Sequence, residues 1–226
     1  MLTFAIGDIH GCYDSLIELV EKIEEKYPEK KKYVFIGDYI DRGPKSAQVL
    51  DWMMSADNVD KVCLMGNHED MFLNSYENWM YNGGHQAVES YHDGSKFGIM
   101  KHREWCFQLP LMHQDKHRYY VHAGFDPFKS IEDQTIKDML WIREQFLLSD
   151  HDFNGKLVVH GHTPYRSSTV DNKYPYESKH MIMQLKPNRL NIDTACVFGG
   201  HLTAAVFTDE QRDPIDYLQV ANPRRM

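Results

Sequence analysis

The chain has 226 residues, of which 33 are Asp or Glu and 25 are Lys or Arg, so its formal net charge is −8 at neutral pH. Hydrophobic residues make up 42% and charged residues 26%, an ordinary globular composition that excludes a mainly disordered chain. The negative charge argues against nucleic acid as a partner, because binding a phosphate backbone needs a positive field. The length predicts one domain spanning residues 1–226.

The cysteines and the N-terminal residues indicate the cellular compartment of the protein. No two cysteines form a Cys-x-x-Cys pair, which favours a reducing compartment over a disulfide framework or a structural zinc site. The first apolar stretch turns polar after six residues, which is too short for a signal peptide. No stretch approaches the roughly 20 apolar residues of a membrane span. We therefore expect a cytoplasmic protein without a membrane partner.

Three short apolar runs in the first 70 residues each end in a glycine followed by Asp or Asn. Residues 2–6 lead into Gly7-Asp8, residues 33–36 into Gly37-Asp38, and residues 62–65 into Gly66-Asn67. Short apolar runs of this kind predict buried strands. The segments between them predict helices, because Leu16, Leu19, Val20 and Ile23 recur at helical spacing and Pro44 is a suitable helix start before Val49, Leu50 and Met53.

The second half of the chain predicts more strands. Apolar runs precede His122, His160 and Asp193, and residues 202–207 and 217–220 predict a closing hairpin. Residues 135–146 predict one helix. Residues 74–117 have no clear period and many aromatic residues and histidines, so we expect a cap or insertion beside the functional site.

The alternation of strands and helices predicts an α/β layered fold, whose ligands bind at the carboxyl ends of the strands. Carboxylate, amide and imidazole side chains without a thiolate suit Mn²⁺, Fe²⁺ or Zn²⁺. Six ligands of these types are too many for one ion that must keep an open position. They suit two ions about 3.5 Å apart that share one carboxylate. The polar side chains at the predicted strand ends are Asp8, His10, Asp38, Asp41, Arg42, Asn67, His68, His122, His160 and His162.

These motifs, in this order, resemble the signature blocks of the phosphoprotein phosphatase family of metallophosphoesterases. The blocks are Gly7-Asp8-Ile9-His10-Gly11, residues 37–43, residues 66–69, His122-Ala123-Gly124 and Gly161-His162-Thr163. The chain is similar in particular to the bacterial and phage-lambda-type serine/threonine phosphatases. This resemblance implies a four-layer α-β-β-α sandwich, with two mixed β-sheets flanked by helices.

The resemblance also implies a role for each metal ligand. Asp8 and His10 would hold the first ion, Asp38 would bridge both ions, and Asn67, His122 and His162 would complete the second site. Mn²⁺ is the expected metal, with iron and zinc as alternatives. His160 is left open between a substrate-side role and a buried structural one. Asp193 is left open as a carboxylate that orients a ligand histidine.

The remaining motif residues imply a phosphoester hydrolase without a covalent phosphoenzyme. Arg42 supplies bidentate donors for phosphoryl oxygens, and Arg143 resembles a second phosphate-binding arginine. The metal pair would activate a bridging hydroxide for direct attack on phosphorus. His68 would be the general acid, and Asp41 would hydrogen-bond its ring, select its tautomer and raise its pKa.

Two substrate classes follow from the same constellation. The first is phosphoserine and phosphothreonine in a phosphoprotein or phosphopeptide. The alternative is symmetric hydrolysis of diadenosine tetraphosphate, or of small phosphoesters. The pairing of Asp41 with His68 favours the phosphatase. A binding module without activity is disfavoured, because none of the ligand or acid residues is missing. We expect a monomer, since no heptad pattern or surplus amphipathic helix calls for a partner.

Overall fold

The computed structural model describes residues 1–55, 59–164, 184–186 and 188–222. The strands are β1 Leu2–Ile6, β2 Lys31–Phe35, β3 Lys61–Cys63, β4 Met112–Gln114, β5 Arg118–Val121, β6 Leu157–His160, β7 Gln184–Lys186, β8 Arg189–Asn191, β9 His201–Thr208 and β10 Asp216–Ala221. They form two five-stranded sheets, ordered β10-β9-β1-β2-β3 and β4-β5-β6-β8-β7.

Helices cover the outer faces of both sheets. The first sheet packs against the buried face of the first helix through residues such as Leu16 and Leu19, which lie in one cluster with Phe4 and Ile6. The second sheet packs against Met139 and Phe146. The α-helices are α1 Tyr13–Lys26, α2 Ser46–Ser55, α3 Asn67–Asn74, α4 Tyr76–Trp79, α5 His85–Ser90, α6 Ile99–Cys106, α7 Ile136–Trp141 and α8 Glu144–Leu147.

A third apolar cluster fills the space between the two sheets. It brings Val34 and Ile36 of the first sheet region together with Val159 and Leu190 of the second. Burial of these side chains from both faces makes each sheet an inner layer. The predicted four-layer α-β-β-α arrangement is confirmed.

The carboxyl ends of six strands meet at one edge of the sandwich. Strands β1, β2 and β3 are parallel, and so are β5, β6 and β8. The two sheets approach closely here: a Cβ atom on Gly7 would lie 2.3 Å from the Ile192 carbonyl oxygen, and one on Gly161 would lie 2.1 Å from Asp8 Oδ1. Glycine at both positions therefore lets the two strand edges form a single site.

The predicted strands and the closing β9–β10 hairpin are confirmed, but the single helix over residues 135–146 is wrong. Thr135 caps α7, whose last helical residue is Trp141, and Ile142 is extended. Arg143 then turns the chain with φ −131° and ψ −103° before α8 begins. This break lets the Arg143 side chain donate to the His162 carbonyl oxygen at 3.1 Å, a tertiary contact that helical periodicity does not encode.

Residues 74–117, hereafter the cap segment, are mostly helical despite their irregular pattern. They contain α4, α5 and α6, with a kink at Asn82-Gly83 where Gly83 has φ 110°. The last part of the segment forms β4, which pairs with β5 in the second sheet. Trp79 is buried in the core.

None of the helices among the described residues has the length and apolarity needed to cross a membrane. All four cysteines are buried and free: Cys12, Cys63, Cys106 and Cys196.

Candidate active site

Backbone strain is concentrated at the edge where the strands end. Eight non-glycine residues of the described chain have a positive φ, a conformation that L-amino acids rarely adopt. Such strain persists only where the surrounding structure enforces it, and it clusters at functional sites. Five of the eight are residues that the sequence assigns to the site: His10, Asp38, Asp41, Arg42 and His162.

Asp38 lies at the centre of this edge, with one carboxylate oxygen facing each of two residue groups. Its Oδ2 lies 3.4 Å from His10 Nε2 and 4.0 Å from His68 Nε2. Its Oδ1 lies 3.3 Å from His122 Nε2. The first group is His10, Asp38 and His68, and the second is Asp38, His122 and His162; in each, the potential ligand atoms lie within 4.8 Å of one another. A shared carboxylate between two ligand groups is the arrangement that two ions require.

Asn67 joins the second group. Its side-chain oxygen lies 2.9 Å from His122 Nε2 and 2.7 Å from His162 Nδ1. Asn67 is the first residue of α3 and follows β3, which places its amide beside the Asp38 loop. The second group therefore offers one carboxylate, one amide and two imidazole donors, a set suited to a borderline divalent ion.

The two ligand histidines with defined outer partners are oriented as metal ligands usually are. His10 Nδ1 lies 2.8 Å from the Ile40 carbonyl oxygen, and His122 Nδ1 lies 3.0 Å from that of Ile36. A carbonyl oxygen can only accept a hydrogen bond, so the Nδ1 atom that faces it must carry the proton. Both rings therefore direct the Nε2 lone pair into the site. Burial lowers the pKa of His10 to about 4 and also lowers that of His122, which keeps both rings in the neutral form that binds metal.

Asp8 lies beside the two groups rather than inside either of them. Its carboxylate accepts the backbone N–H of His162, at 3.1 Å for Oδ2. Burial raises its pKa well above the usual value, and the charges of Asp193 and Asp38 add to that rise. Burial likewise raises the pKa of Asp193 to about 6. Three buried carboxyl groups that repel one another fit a centre occupied by divalent cations.

The backbone N–H of Asp193 donates to Asn191 Oδ1 at 3.0 Å. Its own Oδ1 accepts the backbone N–H of Ala195 at 3.1 Å. The role suggested by the sequence, orienting a histidine ring, is therefore not the contact that the structure makes.

Two arginines flank the carboxylates. Arg42 Nη1 lies 2.7 Å from His10 Nε2, so its guanidinium reaches the first ligand group. Arg143 Nη1 donates to the His162 carbonyl oxygen at 3.1 Å and to Thr163 Oγ1 at 2.9 Å. Guanidinium groups on both sides of a metal-ligand cluster suit the binding of phosphoryl oxygens.

His68 and Asp41 form a buried pair, with 2.6 Å between Nδ1 and Oδ2. The other oxygen of Asp41 accepts the indole N–H of Trp79 at 2.7 Å. The expected hydrogen bond is therefore present, but the expected rise in the pKa of His68 is wrong, because burial lowers it well below its usual value. Burial instead raises the pKa of Asp41 to about 9. The pair thus keeps one shared proton at neutral pH and has the capacity of a general acid as a unit.

The model of the calcineurin-like phosphoesterases matches residues 1–203. The chain belongs to this family. This metallophosphoesterase places its motifs at the carboxyl ends of parallel strands.

Three curated relatives differ in their named substrates. The chain is 34% identical over 167 residues to the symmetrical bis(5′-nucleosyl)-tetraphosphatase of Methylobacillus flagellatus, covering 74% of this chain and 58% of that relative. It is 29% identical to the asymmetrical bis(5′-nucleosyl)-tetraphosphatase PrpE of Anoxybacillus flavithermus, covering 90% and 89% of the two chains. It is 26% identical to serine/threonine-protein phosphatase 1 of Salmonella typhimurium, covering 89% and 90%.

A solved structure shows the same fold at low identity. The cold-active protein-tyrosine phosphatase of a Shewanella species superposes with a TM-score of 0.63 at 16% identity, covering 95% of this chain and 80% of that one.

Glu69 is a site residue of the metallophosphoesterase that the sequence reasoning passed over. Its two carboxylate oxygens accept four backbone N–H groups: those of Asp38 at 2.9 Å, Gly66 at 3.0 Å, Tyr39 at 2.8 Å and Ile40 at 3.3 Å. Glu69 is fully buried. It therefore holds the strained loop that presents Asp38. The sequence did carry one signal for Glu69, because it lies two residues after Asn67, within the signature block of residues 66–69.

The hydrogen bond from Trp79 to Asp41 is a second contact that the sequence did not reveal. His160 is buried, packs edge-on against Phe146 and belongs to neither ligand group. Burial lowers its pKa to about 3. Of the two interpretations left open for His160, the structure favours the buried structural one.

Proposed function

We propose that this metallophosphoesterase hydrolyses bis(5′-nucleosyl) tetraphosphates, with symmetric cleavage as the leading mode. The observation that carries the proposal is the shared Asp38 between two ligand groups, flanked by Arg42 and Arg143. The names of two of the three relatives support the dinucleotide over the phosphoprotein. The order of the two substrate classes suggested by the sequence is therefore reversed.

The residues of the chain divide the reaction among them. Two divalent ions would supply Lewis-acid polarisation of the phosphoryl oxygens and a lowered pKa for the attacking water. Asp8, His10, Asp38, Asn67, His122 and His162 would hold these ions. Arg42 and Arg143 bind and orient the phosphate chain. The His68–Asp41 pair gives its shared proton to the departing phosphate oxygen, so that one water and one dinucleoside tetraphosphate yield two nucleoside diphosphates.

The phosphoserine and phosphothreonine reaction is the second candidate. A serine or threonine alkoxide is a more basic leaving group than a phosphate, so it depends more strongly on proton donation. The 2.6 Å contact between His68 and Asp41 is the observation that favours it, together with the similarity to the Salmonella phosphatase.

The deciding experiment measures initial rates with Mn²⁺ on diadenosine tetraphosphate and on a phosphothreonine peptide, each with an EDTA control. Product chromatography separates two diphosphates from a monophosphate and a triphosphate. A dinucleotide rate at least tenfold higher, with ADP as the product, supports the proposal. A peptide rate higher than the dinucleotide rate refutes it and supports the second candidate. The Asp38→Asn variant serves as the background control for contaminating phosphatases.

Mn²⁺ is the proposed metal, because carboxylate, amide and imidazole donors without thiolate suit it. Reconstituting the metal-free protein separately with manganese, iron and zinc tests this choice through bound stoichiometry and rate. Monomeric state and a cytoplasmic location stay predictions, to be tested by light scattering and by cell fractionation.

A further inference from the structure

A cavity of about 330 Å³ opens beside the metal-ligand groups, on the side of Arg42. Its volume lies at the lower end of the roughly 300–1,000 Å³ range of small-molecule sites. Arg42 is the link, since it lines the cavity while its guanidinium contacts His10 at 2.7 Å. A molecule in the cavity would therefore be continuous with one bound at the ligand groups.

One wall of the cavity belongs to the cap segment. Gln86, Glu89 and Asp93 line it, and their spacing of three and four residues places them on one face of α5 and the turn that follows. This wall is fixed to the body of the protein. The backbone N–H of Ala47 donates to Ser90 Oγ at 2.9 Å, and Gln48 donates to the Ser90 carbonyl oxygen at 3.0 Å.

The lining also includes apolar side chains. Pro44 and Val197 contribute apolar surface, and Val197 is buried. Arg42 is held at the boundary, because its backbone N–H donates to the Gly83 carbonyl oxygen at 3.2 Å. A lining that combines apolar side chains with a row of hydrogen-bonding side chains suits a flat heterocycle with a hydroxylated sugar.

Charge decides which part of a substrate enters. Among the described residues that line the cavity, the charged side chains are one guanidinium, Arg42, and two carboxylates, Glu89 and Asp93. The carboxylates repel phosphate but accept hydrogen bonds from sugar hydroxyls and base amino groups. Phosphate is therefore favoured at Arg42 and a neutral group beyond it.

We propose that this cavity is the subsite for one nucleoside of the substrate, with Glu89 and Asp93 as its specificity-determining residues. The proposal rests on the dinucleoside tetraphosphate function proposed above and assigns the end of the substrate that the ligand groups do not hold. The phosphate chain runs from the metal-ligand groups past Arg42, and the nucleoside occupies the space between α5 and Val197.

The test compares a large and a small substrate. In the Glu89→Ala/Asp93→Ala variant, we expect KM for diadenosine tetraphosphate to rise about tenfold or more, the effect of losing hydrogen bonds to charged groups. The rate on p-nitrophenyl phosphate, which has no nucleoside, should stay within about twofold. Glu77→Ala, an exposed carboxylate elsewhere in the cap segment, is the matched control. An unchanged KM for the dinucleotide, or an equal loss on both substrates, overturns the proposal.

Binding of adenosine alone, followed by ligand-observed NMR, separates this proposal from the proposed function. One outcome is that the wild-type protein binds adenosine, that the Glu89→Ala/Asp93→Ala variant does not, and that the wild-type protein is inactive on the dinucleotide. This outcome supports the subsite and refutes the proposed function. Dinucleotide hydrolysis with a KM indifferent to both carboxylates does the reverse. A KM for the dinucleotide that falls in Glu89→Lys indicates phosphate in the cavity and overturns the assignment of a nucleoside.

Discussion

Replacing Asp41 with asparagine separates the hydrogen-bonding role of this residue from its shape. The Asp41 carboxyl group makes two contacts, with Trp79 Nε1 at 2.7 Å and with His68 Nδ1 at 2.6 Å, one on each oxygen. Asparagine has a single oxygen. The indole N–H is always a donor, so the asparagine oxygen turns to Trp79 and its NH₂ group faces His68.

This arrangement removes the acid form of His68. The NH₂ group is a donor, so His68 Nδ1 becomes an acceptor and the imidazole carries its only proton on Nε2. Giving up that proton would leave an anionic ring, while adding a second proton would place two donors face to face. We therefore expect kcat to fall by the full contribution of general-acid catalysis, about 10²–10⁴-fold, or about 3–5 kcal/mol in activation free energy.

The assay measures kcat at saturating Mn²⁺ on p-nitrophenyl phosphate, diadenosine tetraphosphate and a phosphothreonine peptide. The loss should be smallest for p-nitrophenyl phosphate, whose leaving group needs the least protonation. Metal content should not change, because neither Asp41 nor its ring partner His68 is among the six residues proposed to hold the ions. Equal losses on all three substrates would refute the acid role.

A second substitution tests the tautomer argument itself. In Asp41→Asn/Trp79→Phe the indole donor is gone, so the asparagine oxygen is free to turn back and accept the Nδ1 proton of His68. We expect kcat of the double variant to exceed that of Asp41→Asn by about tenfold, although a bulky donor has been removed from a buried position. A double variant that is slower still would contradict the reasoning, with Trp79→Phe alone as the control for lost packing.

Three further predictions concern metal binding and stability. In Asp38→Asn one of the two oxygens that face the ligand groups becomes an NH₂ donor. Bound metal, measured by mass spectrometry, should therefore fall below two ions per chain, and activity should fall by more than about 100-fold. An active variant that still binds two ions would rule out the bridging role. In Glu69→Gln an NH₂ group faces two of four backbone donors, which should lower the unfolding free energy by about 1–3 kcal/mol in urea titrations; an unshifted midpoint contradicts it. Although burial raises the pKa of Asp115, backbone and Arg118 hydrogen bonds outweigh it and leave the pKa below its usual value. The stabilisation from Asp115 is therefore complete above about pH 4 and is lost as the pH falls further, so the Tm gap to Asp115→Asn, present at pH 7, should shrink below about pH 3; a constant gap would exclude the linkage.

The layered fold and most of the site could be predicted from the sequence because their signals are local. A short apolar run that ends in Gly-Asp or Gly-Asn can be recognised within about eight residues, as at Gly7-Asp8 and Gly37-Asp38. The helical period of α1 can be recognised within about a dozen residues. The fold then brings these strand ends together, since parallel strands share their carboxyl edge. Residue types alone pointed to a pair of borderline divalent ions.

Local signals also misled in two places. The apolar spacing of residues 135–146 is helical, but the chain breaks at Ile142 and Arg143, where Arg143 contacts His162. The acid was assigned to His68 with a raised pKa, because a carboxylate neighbour usually has that effect. Burial of the whole pair reverses the direction for His68 and moves the titrating proton toward Asp41.

The sequence by itself determined the fold class, the strand ends and the set of side chains at the site. Only the tertiary structure decided that the two oxygens of Asp38 face separate ligand groups, that Glu69 holds the Asp38 loop and that Trp79 of the cap segment contacts Asp41. These contacts join residues about 30 to 90 positions apart, and a shift of a few tenths of an ångström would change them. Pattern and propensity act over single elements, whereas such distances are set by how the packed elements meet.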